Sequence, residues 1–347
     1  MAEVPYRRTL VAAAALMLLA ACSNSSGAFA PGQSSSLGPS AVASHHLPMG
    51  GYRLVRGSAV EGSYLVPLVA HPWKLAHVWP AKKKHQQVMF VADPQDNQIL
   101  MYNPKMPNPS PEGSITTGID YPFGVAVDKK GTLYVANLLG GSPDIGSITV
   151  YPKGKTSPSL TITTGMDNPY GIAVDSKGNI FAANLGNNQV VAYAAGKSSP
   201  YETITFPSGS QALGVGVDGK DNIWVGSDEN NSVYEIPKGS STPQNAGLSG
   251  LAGTINVAFG SKDVMYVSNF GTNNVQVYKY GTTSPSMTIT DGIAGPTLSG
   301  FTTSDWYFQD NQELNVVGYK KNQSSPFSTI TGIPDPRGIA TTPLIKK

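Results

Sequence analysis

The side chains able to do chemistry are unevenly placed along this chain of 347 residues. All five histidines (His45, His46, His71, His77 and His85) precede residue 88, and the one cysteine is Cys22. Beyond residue 87 the bases on offer are aspartates and five glutamates: Glu112, Glu202, Glu229, Glu235 and Glu313. A nucleophilic triad built on imidazole lacks its base there, and no Gly-x-Ser-x-Gly elbow presents a serine. Arg337 is the only arginine in residues 88–347 and stands two positions from Asp335. A guanidinium can clamp a carboxylate or sulfate in two-point fashion. It can equally close a structural ion pair, here with Asp335 or Asp167.

The elements that must position these groups follow from composition and repetition. Charged residues make up 13% of the chain, and it holds 38 Gly and 27 Pro. That disfavours long surface helices and coiled coils, whose outer faces need Glu, Lys and Arg. The hydrophobic share of 40% suffices for a buried core. Length alone suggests about two domains. A net charge of +2 makes no case for a nucleic-acid partner.

From residue 88 the chain repeats. Gly124-Val-Ala-Val-Asp-Lys-Lys-Gly-Thr-Leu-Tyr-Val-Ala-Asn137 returns at Gly171 to Asn184, at Gly214 to Ser227 and, more loosely, at Asn256 to Asn269. Ser/Thr-Pro pairs end at Pro111, Pro158, Pro200, Pro243, Pro285 and Pro326, spaced 47, 42, 43, 42 and 41. Tyr102, Tyr151, Tyr193, Tyr278 and Tyr319 form a column that Ile236 completes. Each unit reads as four short strands: a Val-Ala-Val run, an Asp-x-x-Gly turn, a Leu-Tyr-Val-Ala-Asn run, a Val-x-Val-Tyr run and, after Ser-Pro, Thr-Ile-Thr. Four strands in 41 to 47 residues is the signature of a propeller blade. Gly338-Ile339-Ala340 matches the first strand of a unit whose remaining strands begin near Val88. The expectation is an all-β, six-bladed β-propeller over residues 88–347, its ring closed by the C-terminal strand joining the first blade. The tyrosine column is expected in the core between blades, and the repeated Asp and Asn as caps on turn amides.

The shared phrase Pro-x-Gly-Ile-Ala-Val-Asp-x-x-Gly-x-Ile/Leu-Tyr-Val-Ala-Asn resembles NHL repeats, over roughly residues 88–343. Propellers host many activities, so the resemblance implies the fold and leaves function to the site. In this architecture the loop entering each innermost strand lies at one mouth of the central channel. Alignment puts Phe123, Tyr170, Leu213, Ile255, the Pro296 to Leu298 stretch and Arg337 there, with Asn168, Asn256, Asp167 and Asp335 close by. The ring is mostly apolar, which argues against a metal. Gluconolactonase-like propellers hold calcium with acidic and amide side chains at this mouth, positions mostly lost here. Virginiamycin-lyase-like and peptidylglycine-lyase-like propellers depend on histidines within the blades, which are missing here. The sixth unit departs from the pattern, so Asp305 and Asp310 are open to misassignment.

The N-terminus supplies an address. Arg7 and Arg8 precede an apolar run from Leu10 to Ala21, too short for the roughly 20 residues that cross a bilayer as a helix. This is the pattern of a secretory signal peptide, residues 1–21. Leu19-Ala20-Ala21-Cys22 resembles the bacterial lipobox, which implies lipidation of Cys22 and, with Ser23 following, sorting to the outer membrane. Residues 22–44 read as a Ser/Gly/Pro/Ala-rich tether. Residues 45–87 form a basic leader. From Cys22 to Gln87 the net charge is +5, against −4 for residues 88–347, so the two parts can attract, or the leader can lie on anionic envelope polymer. The functional expectation is a lipid-anchored, extracytoplasmic, non-catalytic module that binds or scaffolds, with an envelope protein or glycan as ligand and no cofactor. The ligand residues are Phe123, Tyr170, Asn168, Leu213, Asn256, Asp335 and Arg337. The alternative is a calcium-dependent lactonase or esterase of the gluconolactonase type.

Overall fold

The runs Leu133–Asn137, Ile180–Asn184 and Met265–Asn269 are buried along their whole length. A short apolar run bounded by turn residues and covered on both faces suits the second strand of a sheet layered between two others. In the computed structural model, which describes residues 52–56, 63–67, 87–141, 145–311 and 315–343, six such runs sit in six four-stranded antiparallel sheets. The innermost strands of blades one to six are Arg337–Thr341, Pro122–Val127, Pro169–Val174, Val215–Val217, Thr254–Phe259 and Pro296–Phe301. They touch one another in cyclic order, which makes the sheets a closed ring. The fold is the six-bladed propeller that the repeats imply.

Closure comes from the end of the chain. Arg337–Thr341 pairs antiparallel with Met89–Asp93, so the first blade is completed by the last strand. The join continues past the sheet: the Val88 amide donates to the Thr342 hydroxyl at 2.9 Å, and the Gln87 side chain to the Thr342 carbonyl at 2.8 Å. Residues 87–343 thus contain every strand of the ring, and no blade borrows one from elsewhere. Within the basic leader, Tyr52–Arg56 and Ser63–Pro67 pair with each other. The signal-peptide and tether expectations, Cys22 included, lie outside the described residues.

Six apolar clusters fill the spaces between blades, and the tyrosine column lies in them. Four of the five hydroxyls also fasten the turn that leads into their own blade: Tyr151 donates to the Thr117 carbonyl at 2.8 Å, Tyr193 to Thr164 at 2.6 Å, Tyr278 to Ser249 at 2.6 Å and Tyr319 to Asp291 at 2.5 Å. The turn aspartates cap as expected. Asp128 accepts from the Lys130 and Thr132 amides, and Asp175 and Asp218 repeat the pattern. At the ring's waist the inner strands approach so closely that only glycine fits. A Cβ on Gly171 would strike the Leu213 carbonyl oxygen, and one on Gly338 the Phe123 carbonyl oxygen.

The topology assigns every turn to a face. Inner strands start at one end of the ring, the mouth face. Turns between second and third strands lie there too. Turns after the first and third strands lie on the opposite face.

Candidate functional site

Five of the six inner strands enter the sheet through a register shift, at Pro122/Val125, Pro169/Gly171, Thr254/Asn256, Pro296/Ser299 and Arg337/Ile339, whereas Val215–Val217 pairs in continuous register behind Leu213. The residues at these shifts face one another around the channel mouth. Phe123, Leu213 and Ile255 are buried, Thr297 is the buried counterpart in the sixth blade, and Tyr170 is half-buried. Arg337 completes the ring, as alignment of the repeats indicates.

Arg337 is held by one contact and left open at the others. Its Nη2 donates to Asp335 at 2.8 Å, and its guanidinium lies 5.3 Å over the Phe123 ring. Nε and Nη1 are buried without an acceptor. Burial works against the charge, but the carboxylates around it, Asp335 foremost and then Asp310, outweigh it and raise the pKa. The side chain therefore stays cationic. The ion pair expected with Asp335 or Asp167 is made with Asp335. Around it Tyr121, Phe123 and Tyr170 form an aromatic row, with ring centroids 5.7 Å and 4.9 Å apart.

Behind the apolar ring stand two buried carboxylates, Asp310 and Asp93, with the half-buried Asp96 beside the latter. Asp310 is fully buried on the strand Tyr307–Asn311, at the register position that Ala136 and Ala183 hold in blades two and three. Its Oδ1 accepts from the Thr297 amide at 3.0 Å and hydroxyl at 2.5 Å, while Oδ2 has no partner. Burial pushes its pKa up to about 7 against the pull of Thr297 and Arg337. Asp93 is raised to about 7 by burial and by the charge of Asp96, and Asp96 to about 6 by burial. The mouth is thus less uniformly apolar than the sequence suggests. The doubtful assignment of the sixth unit hid Asp310, which belongs here, whereas Asp305 lies on the opposite face. Among the described residues, no group of three or more His, Cys, Asp or Glu side chains is placed to hold a metal ion.

The remaining expected residues divide by role. Asn168 is buried at a positive φ of 52° and donates to the Leu138 carbonyl at 2.9 Å, a contact that shapes the entry to its blade. Asn256 replaces the waist glycine, donates to Ser299 Oγ at 2.9 Å and lines a channel cavity of about 220 Å³. Asp167 is raised by partial burial. Glu235 is half-buried on a third strand, away from the mouth.

No protein-family model matches the chain, and no curated protein matches its sequence. Solved structures do. One chain of a nidogen/laminin complex is 14% identical, with a TM-score of 0.58 over 74% of this chain and 98% of that one. A virginiamycin B lyase from Staphylococcus aureus is 12% identical, with a TM-score of 0.51 over 78% of this chain and 84% of that one. At such identity the likeness concerns the fold.

Proposed function

We propose that this chain is a lipid-anchored, extracytoplasmic, NHL-like propeller that binds a ligand at its channel mouth and catalyses no reaction. The observation that carries the reading is Arg337: two of its three guanidinium nitrogens are buried without an acceptor at the channel entrance. An unmet buried donor costs about 1–3 kcal/mol, which a ligand oxygen would recover. Asp335 already balances the positive charge, so the site favours neutral or singly acidic acceptors over strong anions. The aromatic row beside it suits a flat apolar face. Acceptor oxygens and a flat apolar face together describe a glycan.

Against catalysis stands the missing imidazole. Residues 88–347 contain no histidine, so likeness to a lyase fold brings no lyase chemistry with it. The test is a glycan array probed with the chain from Ser23 onward, alongside an unrelated propeller. Selective binding that Arg337→Ala abolishes at unchanged melting temperature is the expected result. No binding above the control overturns the glycan reading, and a melting temperature lowered without any binding to lose makes Arg337 a latch. The anchor is tested separately: Cys22→Ser is expected to release the protein from the membrane fraction.

A further inference from the structure

Every lysine from Lys105 to Lys321, thirteen in all, lies in a turn after a first or a third strand. All thirteen are exposed. They therefore share the face opposite the mouth. Nine described carboxylates stand on that side too, among them Asp128, Asp175 and Asp218 in the turns, leaving a formal +4. Among the described residues the mouth side carries one cation, Arg337, against nine carboxylates, a formal −8 that the raised Asp93, Asp96 and Asp310 diminish. A modest net charge conceals a molecule strongly polarised along its axis.

Two further features fall on the same face. Among the described residues the exposed large hydrophobic side chains are Met106, Tyr201 and Tyr280, at 50%, 53% and 48% exposure. Met106 and Tyr280 follow third strands and Tyr201 opens a fourth, so all three stand among the lysines. The nitrogen of Lys220 lies 4.4 Å from the Tyr280 ring centroid. Between blades two and three a hollow of about 580 Å³ opens there, rimmed by Lys129, Lys130 and Lys177. The described ring also begins and ends on this side, since Gln87 and Thr342 meet at the end of the closing strands away from the mouth. Lys82, Lys83 and Lys84 come immediately before that exit in sequence.

We propose that the lysine face is a docking surface for an anionic phospholipid bilayer. Lysines around a few protruding aromatic and thioether side chains are what a bilayer interface takes: charge for the headgroups, and apolar tips for the boundary beneath them. A soluble anionic polymer would use the lysines and leave Met106, Tyr201 and Tyr280 idle, which decides for lipid. The inference shares the membrane address of the proposed function and needs no acylation. It can therefore fail or succeed independently of Cys22.

The experiment is vesicle sedimentation with the chain from Ser23 onward, which carries no lipid. Vesicles containing about 30% phosphatidylglycerol are expected to bind at least ten-fold more protein than pure phosphatidylcholine, with the excess lost at about 0.5 M salt. Combined Lys129→Glu, Lys130→Glu and Lys177→Glu should remove most of that excess, and Lys→Gln at the same positions part of it, at unchanged melting temperature. Met106→Ser, Tyr201→Ser and Tyr280→Ser together should weaken vesicle binding and leave binding to dextran sulfate as it was. Equal sedimentation with both vesicle types overturns the proposal. So does an unaltered response in the reversal variant, or vesicle binding that ignores loss of the three apolar side chains.

Discussion

Replacing Asp310 by Asn should change how stability depends on pH, with a sign fixed by burial. Asp310 is fully buried and titrates at about 7 in the folded chain. An aspartate in an unfolded chain titrates at about 3.9. Between these values the folded state holds a proton that the unfolded state has lost, so on this group's account stability falls as pH rises. The slope is about 1.4 kcal/mol per pH unit, and the whole effect about 4 kcal/mol between roughly pH 4 and pH 7. Below that window Asp310 costs nothing; above it the full cost persists. Asn keeps an acceptor for Thr297, whose amide and hydroxyl both donate to Oδ1. Its new NH₂ enters the place of the unpartnered Oδ2 and carries a penalty of about 1–3 kcal/mol that does not vary with pH. The difference between the two proteins therefore has a pH-dependent part owed to Asp310 alone, since the similar contribution of Asp93 is common to both. Urea unfolding of each between about pH 4.5 and pH 7.5 measures it. The variant should gain on the parent steadily as pH rises. Parallel stability curves would refute the reasoning, because they would mean that Asp310 is ionised throughout and its burial is relieved by some other partner.

On the opposite face, Asp221 accepts from the Ser176 amide and hydroxyl of the preceding blade at 3.0 and 2.9 Å. It occupies a positive φ of 65°, so Asp221→Gly removes this link without straining the backbone. A loss of about 1 kcal/mol is expected in chemical denaturation at neutral pH. Hydrogen bonding to Lys238 lowers this carboxyl to about 2, so the parent should lose the advantage below about pH 4, as pH falls toward the folded-state value. Gly171→Ala should destabilise by about 3 kcal/mol, since its Cβ would meet the Leu213 carbonyl and no side chain can give way; a thermal melt reads it, and an unshifted melt would show that the waist is looser than described. A chelator-stripped sample titrated with Ca²⁺ should melt at constant temperature. A site saturated a hundred-fold above its Kd would add about 2.7 kcal/mol, and a shift of that size would revive the lactonase reading.

The repeat was legible because three kinds of residue mark the same period for different physical reasons. Glycines let inner strands converge, aspartates close the first turn, and tyrosines fill the space between blades while their hydroxyls tie the entering loop. Closure was legible for the same reason, since Gly338-Ile339-Ala340 carries the first-strand pattern and Met89–Asp93, its partner in the sheet, the second-strand one. Asp310 was hidden because its unit lacks the leading marker. Thr302 stands where blades two to four have the capping aspartate, and its hydroxyl, facing the Ser304 and Trp306 amides at 3.3 and 3.1 Å, replaces the carboxylate. Counted back from Asn311, however, Asp310 falls in the small-residue column. The links between turns were hidden differently. Asp221, Asp263 and Asp305 replace the left-handed glycine of earlier blades, and each carboxylate reaches the turn of the blade before it. In sequence they read as ordinary turn residues, because their partners lie 44 or 45 positions away.

The charge pattern needed only strand direction to become visible. Lysine recurs after first and third strands, and an antiparallel blade sends both of those ends to one side. If that side rests on a bilayer, the leader leaves the propeller next to the membrane and the mouth with Arg337 points away from it. Orientation and ligand site then follow from the same alternation of strand directions. A ligand of the envelope would meet the exposed mouth directly, without the propeller having to turn over on its tether.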